Sequence, residues 1–245
     1  MLQSITPTLH IDAYSLAGID GATPGRMGIE CSEGDTHLVQ FIWHTESPPT
    51  NAELGRLTTA VEQVNWLFWR DSDSDSQALI PNWRTTEDCA LVVGTVPADV
   101  DIVTVSDMKT VVIEDTAQYC GLAIIYDDDR PGPENSNNNG SLMWVSTHCL
   151  NYYIIAHEIL HSMGAVQLSA AHSDGGWHST QFDVMGRPAL LDGCSVHDRL
   201  DCGGDDYWAL RPGGMASGRW NSADSVYLRA VRRYRVWLHP VFTWP

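Results

Sequence analysis

The segment Leu150 to His161, ending in His157-Glu158-Ile159-Leu160-His161, constrains this chain more than any other. Two histidines four residues apart lie on one face of a helix, one turn above the other. Two neutral imidazoles at that spacing make a bite for Zn²⁺, and the glutamate after the first can take a proton from water beside the ion. The residues before them, Leu150 to Ala156, are mostly apolar, as a helix buried in a core requires. The plainer alternative is a core helix that happens to carry two histidines.

The residues past the second histidine narrow the choice. Gly164, three positions on, can end the helix in a left-handed turn. The chain can then double back under a metal and offer a third ligand. Phe182-Asp183-Val184-Met185-Gly186 lies further along. On these residues the chain resembles the metzincin clan of zinc endopeptidases, in which an HExxHxxG helix stands over a methionine turn. The resemblance implies His157 and His161 as zinc ligands, Glu158 as general base and Met185 as the turn methionine. The stretch from Gly164-Ala165-Val166-Gln167 through Gly176-Trp177-His178 to Met185 is also similar to a group of secreted actinobacterial metzincin-like proteins, where a histidine recurs near the position of His178.

The third ligand departs from the usual pattern. Six residues after His161 stands Gln167, and an amide oxygen is a weak zinc donor. His178, seven residues before Met185, is the preferred third ligand, with His172 and Gln167 as alternatives. Glu158 is the last glutamate of the sequence, which closes the plan that takes a glutamate from a later helix. A plan that uses a downstream aspartate stays open through Asp174, Asp183, Asp192 and several later ones, without its usual surrounding motif. Met185 is followed by Gly186-Arg187, so the tyrosine customary in that group is missing, and Tyr207 reads as a buried aromatic rather than its substitute.

The implied fold is α+β: one metzincin-like domain over 1–245, a twisted mixed sheet with a backing helix and the active-site helix. Residues 1–36 read as an irregular N-terminal segment, 37–164 as the sheet and two main helices. Residues 165–245 read as the third-ligand loop, the methionine turn and a loop-rich C-terminal part ending in a helix over 222–237. In the metzincin plan the last strand before the zinc helix, here Leu142 to Val145, is the edge against which an extended substrate pairs.

Local patterns supply the other elements. His37 to His44 reads as a strand. Thr50-Asn51-Ala52-Glu53 opens a helix with a capping box, and Leu54, Leu57, Val61, Val64 and Phe68 continue it at helical spacing to Arg70. Asp71 to Ser76 reads as a solvated polar turn. Cys89 to Val96 and Gly121 to Tyr126 read as buried strands, and 101–114 as a strand with a short helix. The polar loop from Asp127 to Gly140 carries enough oxygen donors for Ca²⁺, with Asx turns as the alternative.

The net charge of −17 repels phosphate backbones and argues against a nucleic-acid partner. Arg229, Arg232, Arg233 and Arg235 form a local basic face, read as salt bridging onto the acidic body. No apolar run approaches the roughly 20 residues that span a membrane, and no signal peptide is visible in the first twenty residues. Either a leader was removed, or export uses another route, or the protein stays inside the cell. Six cysteines without a CxxC pair point to disulfides and an oxidising compartment, hence a secreted protein. The expected pairing is Cys31–Cys89, Cys120–Cys149 and Cys194–Cys202. A monomer is expected.

The expected activity is hydrolysis of peptide or protein substrates, with Zn²⁺ held by three protein groups, a fourth position left for water, and Glu158 accepting the proton. The alternatives are a metal-stabilised binding protein derived from such an enzyme, and hydrolysis of a non-peptide amide or ester.

Overall fold

The computed structural model describes residues 8–12, 25–31, 38–72, 77–102, 108–125, 140–165, 184–185, 199–201, 207–214 and 221–232. The long helix α1, Asn51–Ser72, begins at the predicted capping box. The Thr50 amide donates to Glu53 Oε2 at 2.7 Å and the Glu53 amide donates to Thr50 Oγ1 at 3.3 Å. Leu57, Ala60, Val61, Val64, Leu67 and Phe68 form its buried stripe, and it packs against the second helix α2, Tyr152–Ser162.

The predicted polar turn at 71–76 gives way to a longer α1. Asp71 and Ser72 belong to its last turn and are buried. Ser72 Oγ donates to the Phe68 carbonyl at 2.6 Å, and the Asp71 carboxylate accepts from Arg70 Nε at 2.6 Å, Arg199 at 2.7 Å and the Leu200 amide at 2.8 Å. These bonds commit Asp71 to holding 199–201 against the helix. Residues 73–76 lie outside the described residues, as do 126–139, which hold nearly all of the expected oxygen donors for Ca²⁺.

The strands are β1 Thr8–Asp12, β2 Val39–His44, β3 Gln77–Pro81, β4 Val93–Val96, β5 Lys109–Glu114, β6 Gly121–Ile125, β7 Leu142–Ser146 and β8 Leu228–Arg232. Six of them form one mixed sheet in the order β1-β6-β7-β5-β2-β4. The β7-β5-β2-β4 half is parallel, while β6 runs antiparallel to both β7 and β1. The parallel strand β5 is buried from Lys109 to Ile113, as a strand covered on both faces must be. Val39, Phe41, Trp43, Val111, Ile113, Met143 and Val145 join the two helices in one core.

Four readings of the sequence are corrected. The segment 1–36 contains a strand, β1, laid on the free side of β6. β7 is therefore interior, between β5 and β6, and the edge of that half of the sheet lies elsewhere. The predicted buried strand over 89–96 shrinks to β4, an outer strand with Gly94 and Thr95 exposed, because only β2 pairs with it. The described part of the predicted C-terminal helix, 222–232, is a single 3-10 turn, Ser222–Asp224, followed by β8, and 233–237 lie outside the described residues. Asn221 caps that turn through the Ala223 amide, but Ser225 is extended (φ −63°, ψ 135°) and stops it. β3 then pairs antiparallel with β8, a long-range ladder that outweighs local helical preference. Arg229 reaches Glu30 and donates to the Cys31 carbonyl, so this part of the basic face does bridge to the body.

Two expected disulfides are present, Cys31–Cys89 and Cys120–Cys149, while Cys194 and Cys202 lie outside the described residues. Cys120–Cys149 ties the start of β6 to the residues just before α2. Replacing both with alanine reopens a loop of sequence separation 29. The expected cost is about 3–4 kcal/mol, or roughly 10 °C in melting temperature for a domain of this size. Calorimetry with and without reductant checks it, and an unchanged midpoint would contradict the cross-link.

Candidate metal centre

Every residue of α2 is buried. The helix starts at Asn151, whose side chain accepts from the Ile154 amide at 3.1 Å. It ends at Met163, whose amide bonds to the Ile159 and Leu160 carbonyls, and Gly164 then takes φ +104°, which a residue with a Cβ resists. This is the predicted left-handed turn. It brings Ala165 back beside the helix, with its amide on the Leu160 carbonyl at 2.9 Å.

The two histidine rings sit on the same face, their centroids 4.5 Å apart and their planes at 86°. Each is held from outside the helix. His157 Nδ1 donates to the Val184 carbonyl at 2.6 Å, and His161 Nδ1 donates to the Ala165 carbonyl at 3.0 Å. A carbonyl cannot donate, so both rings carry their proton on Nδ1 when neutral. That places the lone pair of each ring on Nε2, the form a zinc site needs, with the orienting partner already in place. The donor chemistry of this pair therefore fits Zn²⁺.

Val184 and Met185 form a buried turn beside His157. Met185, the expected turn methionine, is thus one residue from a contact of His157. The candidates for the third ligand, Gln167, His172 and His178, lie outside the described residues. Among the described residues no group of three or more His, Cys, Asp or Glu gathers to hold a metal. Tyr207 is a buried aromatic whose amide donates to Asp201.

Two contributors to this region carry no motif in the sequence. The first is Gly121, at the start of β6. A Cβ there would overlap Glu158 Oε1 and stand 2.8 Å from its Cδ and 3.1 Å from its Cγ. Only a glycine leaves room for the carboxylate where it lies, and a lone glycine at a strand end gives no signal of it. The second is Tyr119, half-buried, whose hydroxyl donates to Glu114 Oε2 at 2.6 Å. Burial, then that bond and the charges of Glu114 and Glu158, push the phenol up and keep it protonated.

Lys109, the sole lysine, closes the other end of α2. Its buried ammonium donates to the Ser162 carbonyl at 2.8 Å and lies 5.1 Å from the centre of the Tyr227 ring. Burial pushes it down to about 7.

No known protein family, curated protein or solved structure matches the chain.

Two outcomes are expected. If the pair holds zinc, replacing His157 with alanine should remove it, read by metal analysis of parent and variant after purification without chelators. For Lys109, the unfolded chain holds its proton up to the ordinary value of 10.5, while the folded chain releases it near 7. Stability should therefore rise with pH between about 7 and 10.5, and the deficit should be fully present below 7. Denaturant titrations across that range should show the slope in the parent and its loss in Lys109→Met.

Proposed function

We propose that this chain is a zinc-dependent endopeptidase of the metzincin type, acting on peptide or protein substrates with Glu158 as general base. The reading rests above all on the paired Nδ1–carbonyl hydrogen bonds of His157 and His161. A core helix that merely tolerated two histidines would have no need to turn both rings to the same tautomer. The left-handed Gly164, the Val184–Met185 turn beside His157 and a mixed sheet backed by a long helix support it further.

Zn²⁺ on this pair supplies Lewis acidity, acidifying water and polarising a peptide carbonyl. The protein's own part is positional and basic. Val184 and Ala165 hold the ring planes, and the space at Gly121 receives the Glu158 carboxylate. Glu158 takes the proton of the attacking water and returns it to the leaving amine. His178, with His172 and Gln167 as alternatives, is proposed to complete the ligand set. The two disulfides favour an oxidising compartment, and we read the protein as secreted. Among the described residues no helix is long and apolar enough to cross a membrane.

Glu158→Gln keeps the shape and removes the base. It should retain zinc and lose about 10²–10⁴-fold in cleavage of a casein or peptide substrate. Near-normal activity in that variant would sink the mechanism, and absence of zinc from the parent would sink the reading altogether. Gly121→Ala should fold and bind zinc, melt a few degrees below the parent at an overpacking cost of about 1–3 kcal/mol, and cleave more slowly, because its methyl displaces the carboxylate. Peptide assays beside a melting curve separate that effect from misfolding.

A further inference from the structure

A sheet edge is a row of backbone donors and acceptors that another extended chain can use. The half of this sheet next to α2 would end at β6, except that β1 already lies on it. The pairing is antiparallel and continuous: Thr8 faces Ile125, His10 faces Ala123 and Asp12 faces Gly121. Gly121 is the residue whose missing side chain makes room for Glu158. The end of β1 thus comes level with the proposed general base. β7 takes the other side of β6. A strand has two sides, so an extended peptide presented to Glu158 along β6 needs the ladder that β1 holds.

The chain that follows β1 has its own anchor. Residues 25–31 are fastened independently, by the Met27 amide to the Glu62 carbonyl at 3.0 Å, by Asn65 to the Gly28 carbonyl at 3.3 Å and by the Cys31–Cys89 bond. β1 lies on the far side of that anchor from the rest of the chain, and it is five residues long.

We propose that β1 occupies the peptide-docking edge of β6, so that the chain as described is self-blocked and accepts an extended peptide only after residues 8–12 leave. The consequence for activity rests on the hydrolase reading, while the competition for the edge does not.

The test uses the full chain carrying His10→Pro and Ile11→Pro. The positions are adjacent, so whichever of them donates to the ladder, one bond is removed. Edge opening is read by hydrogen exchange at the amides of 122–125. Docking is read in a Glu158→Gln background with a fluorescein-labelled synthetic peptide of residues 5–14. Turnover is read on casein with Glu158 intact. We expect faster exchange, peptide binding tighter by about tenfold or more, casein cleavage raised by a similar factor, and inhibition by the added peptide. Should the double proline chain fail to fold, a cleavage site inserted between 13 and 24 and cut after folding gives the same readouts. Unchanged exchange, or equal peptide binding with and without β1 in place, would overturn the proposal. Tighter docking with no cleavage by any form would leave the edge proposal standing and remove the hydrolase reading. Cleavage at one rate throughout, with no gain in docking, would do the reverse.

Discussion

The imidazoles and the carboxylate that α2 buries must be answered from outside the helix, because its backbone groups are taken up by the helix itself. The helix carries two imidazoles and a carboxylate into full burial. His157 is answered by the Val184 carbonyl and His161 by the Ala165 carbonyl. The Ser162 carbonyl at the helix end is answered by Lys109, and the bulk of Glu158 by the glycine at 121. Each answer fixes the position of a different segment. The 184–185 turn, the left-handed turn at 164, the start of β5 and the start of β6 are all placed by the needs of one eleven-residue helix.

That dependence explains which parts were legible in the sequence. Elements whose signal is local were readable. The Thr50–Glu53 capping box and the apolar stripe through Phe68 announced α1, and the histidine spacing with Gly164 announced α2 and its end. Elements that exist because of a distant partner were not. Residues 228–232 form a strand because β3 needs one beside it, and Asp71 is buried because Arg199 and Leu200 come to it across the chain. Gly121 carries no motif, since its role is the absence of a side chain opposite a carboxylate far along the chain. β1 was readable in principle, because Thr8-Leu9-His10-Ile11-Asp12 alternates polar and apolar at the period of a strand. Its short length and its distance from β6 in the chain hid it.

The two ends of the sheet differ. β4 is short and partly exposed, with Gly94 and Thr95 open to solvent. Such a strand offers little to a second chain. β6 is different, for it lies next to α2 and runs against the parallel half of the sheet. Left bare, it would be both the best docking edge of the molecule and the one nearest its proposed chemistry. With β1 in place, the ladder groups of β6 are paired on both sides.

Four constraints meet at residues 120–121. The Cys120–Cys149 bond holds the start of β6 against the approach to α2, and the Ser146 amide donates to the Cys120 carbonyl at 2.9 Å. Gly121 admits the Glu158 carboxylate, and Asp12 is paired beside it. The proposed role of Glu158 as general base needs a carboxylate held to within a fraction of an ångström, since proton transfer depends on hydrogen-bond distance. Glu158 is on the helix, whereas the space it occupies is set by the strand, so any sliding of β6 against α2 would move the wall of that space relative to its occupant. A covalent tie one residue from the contact is the shortest tether that suppresses such sliding. The Cys120–Cys149 bond thus lies one residue from the contact between Gly121 and Glu158 and two residues before α2 begins at its cap Asn151, where it can restrain both sides of that contact.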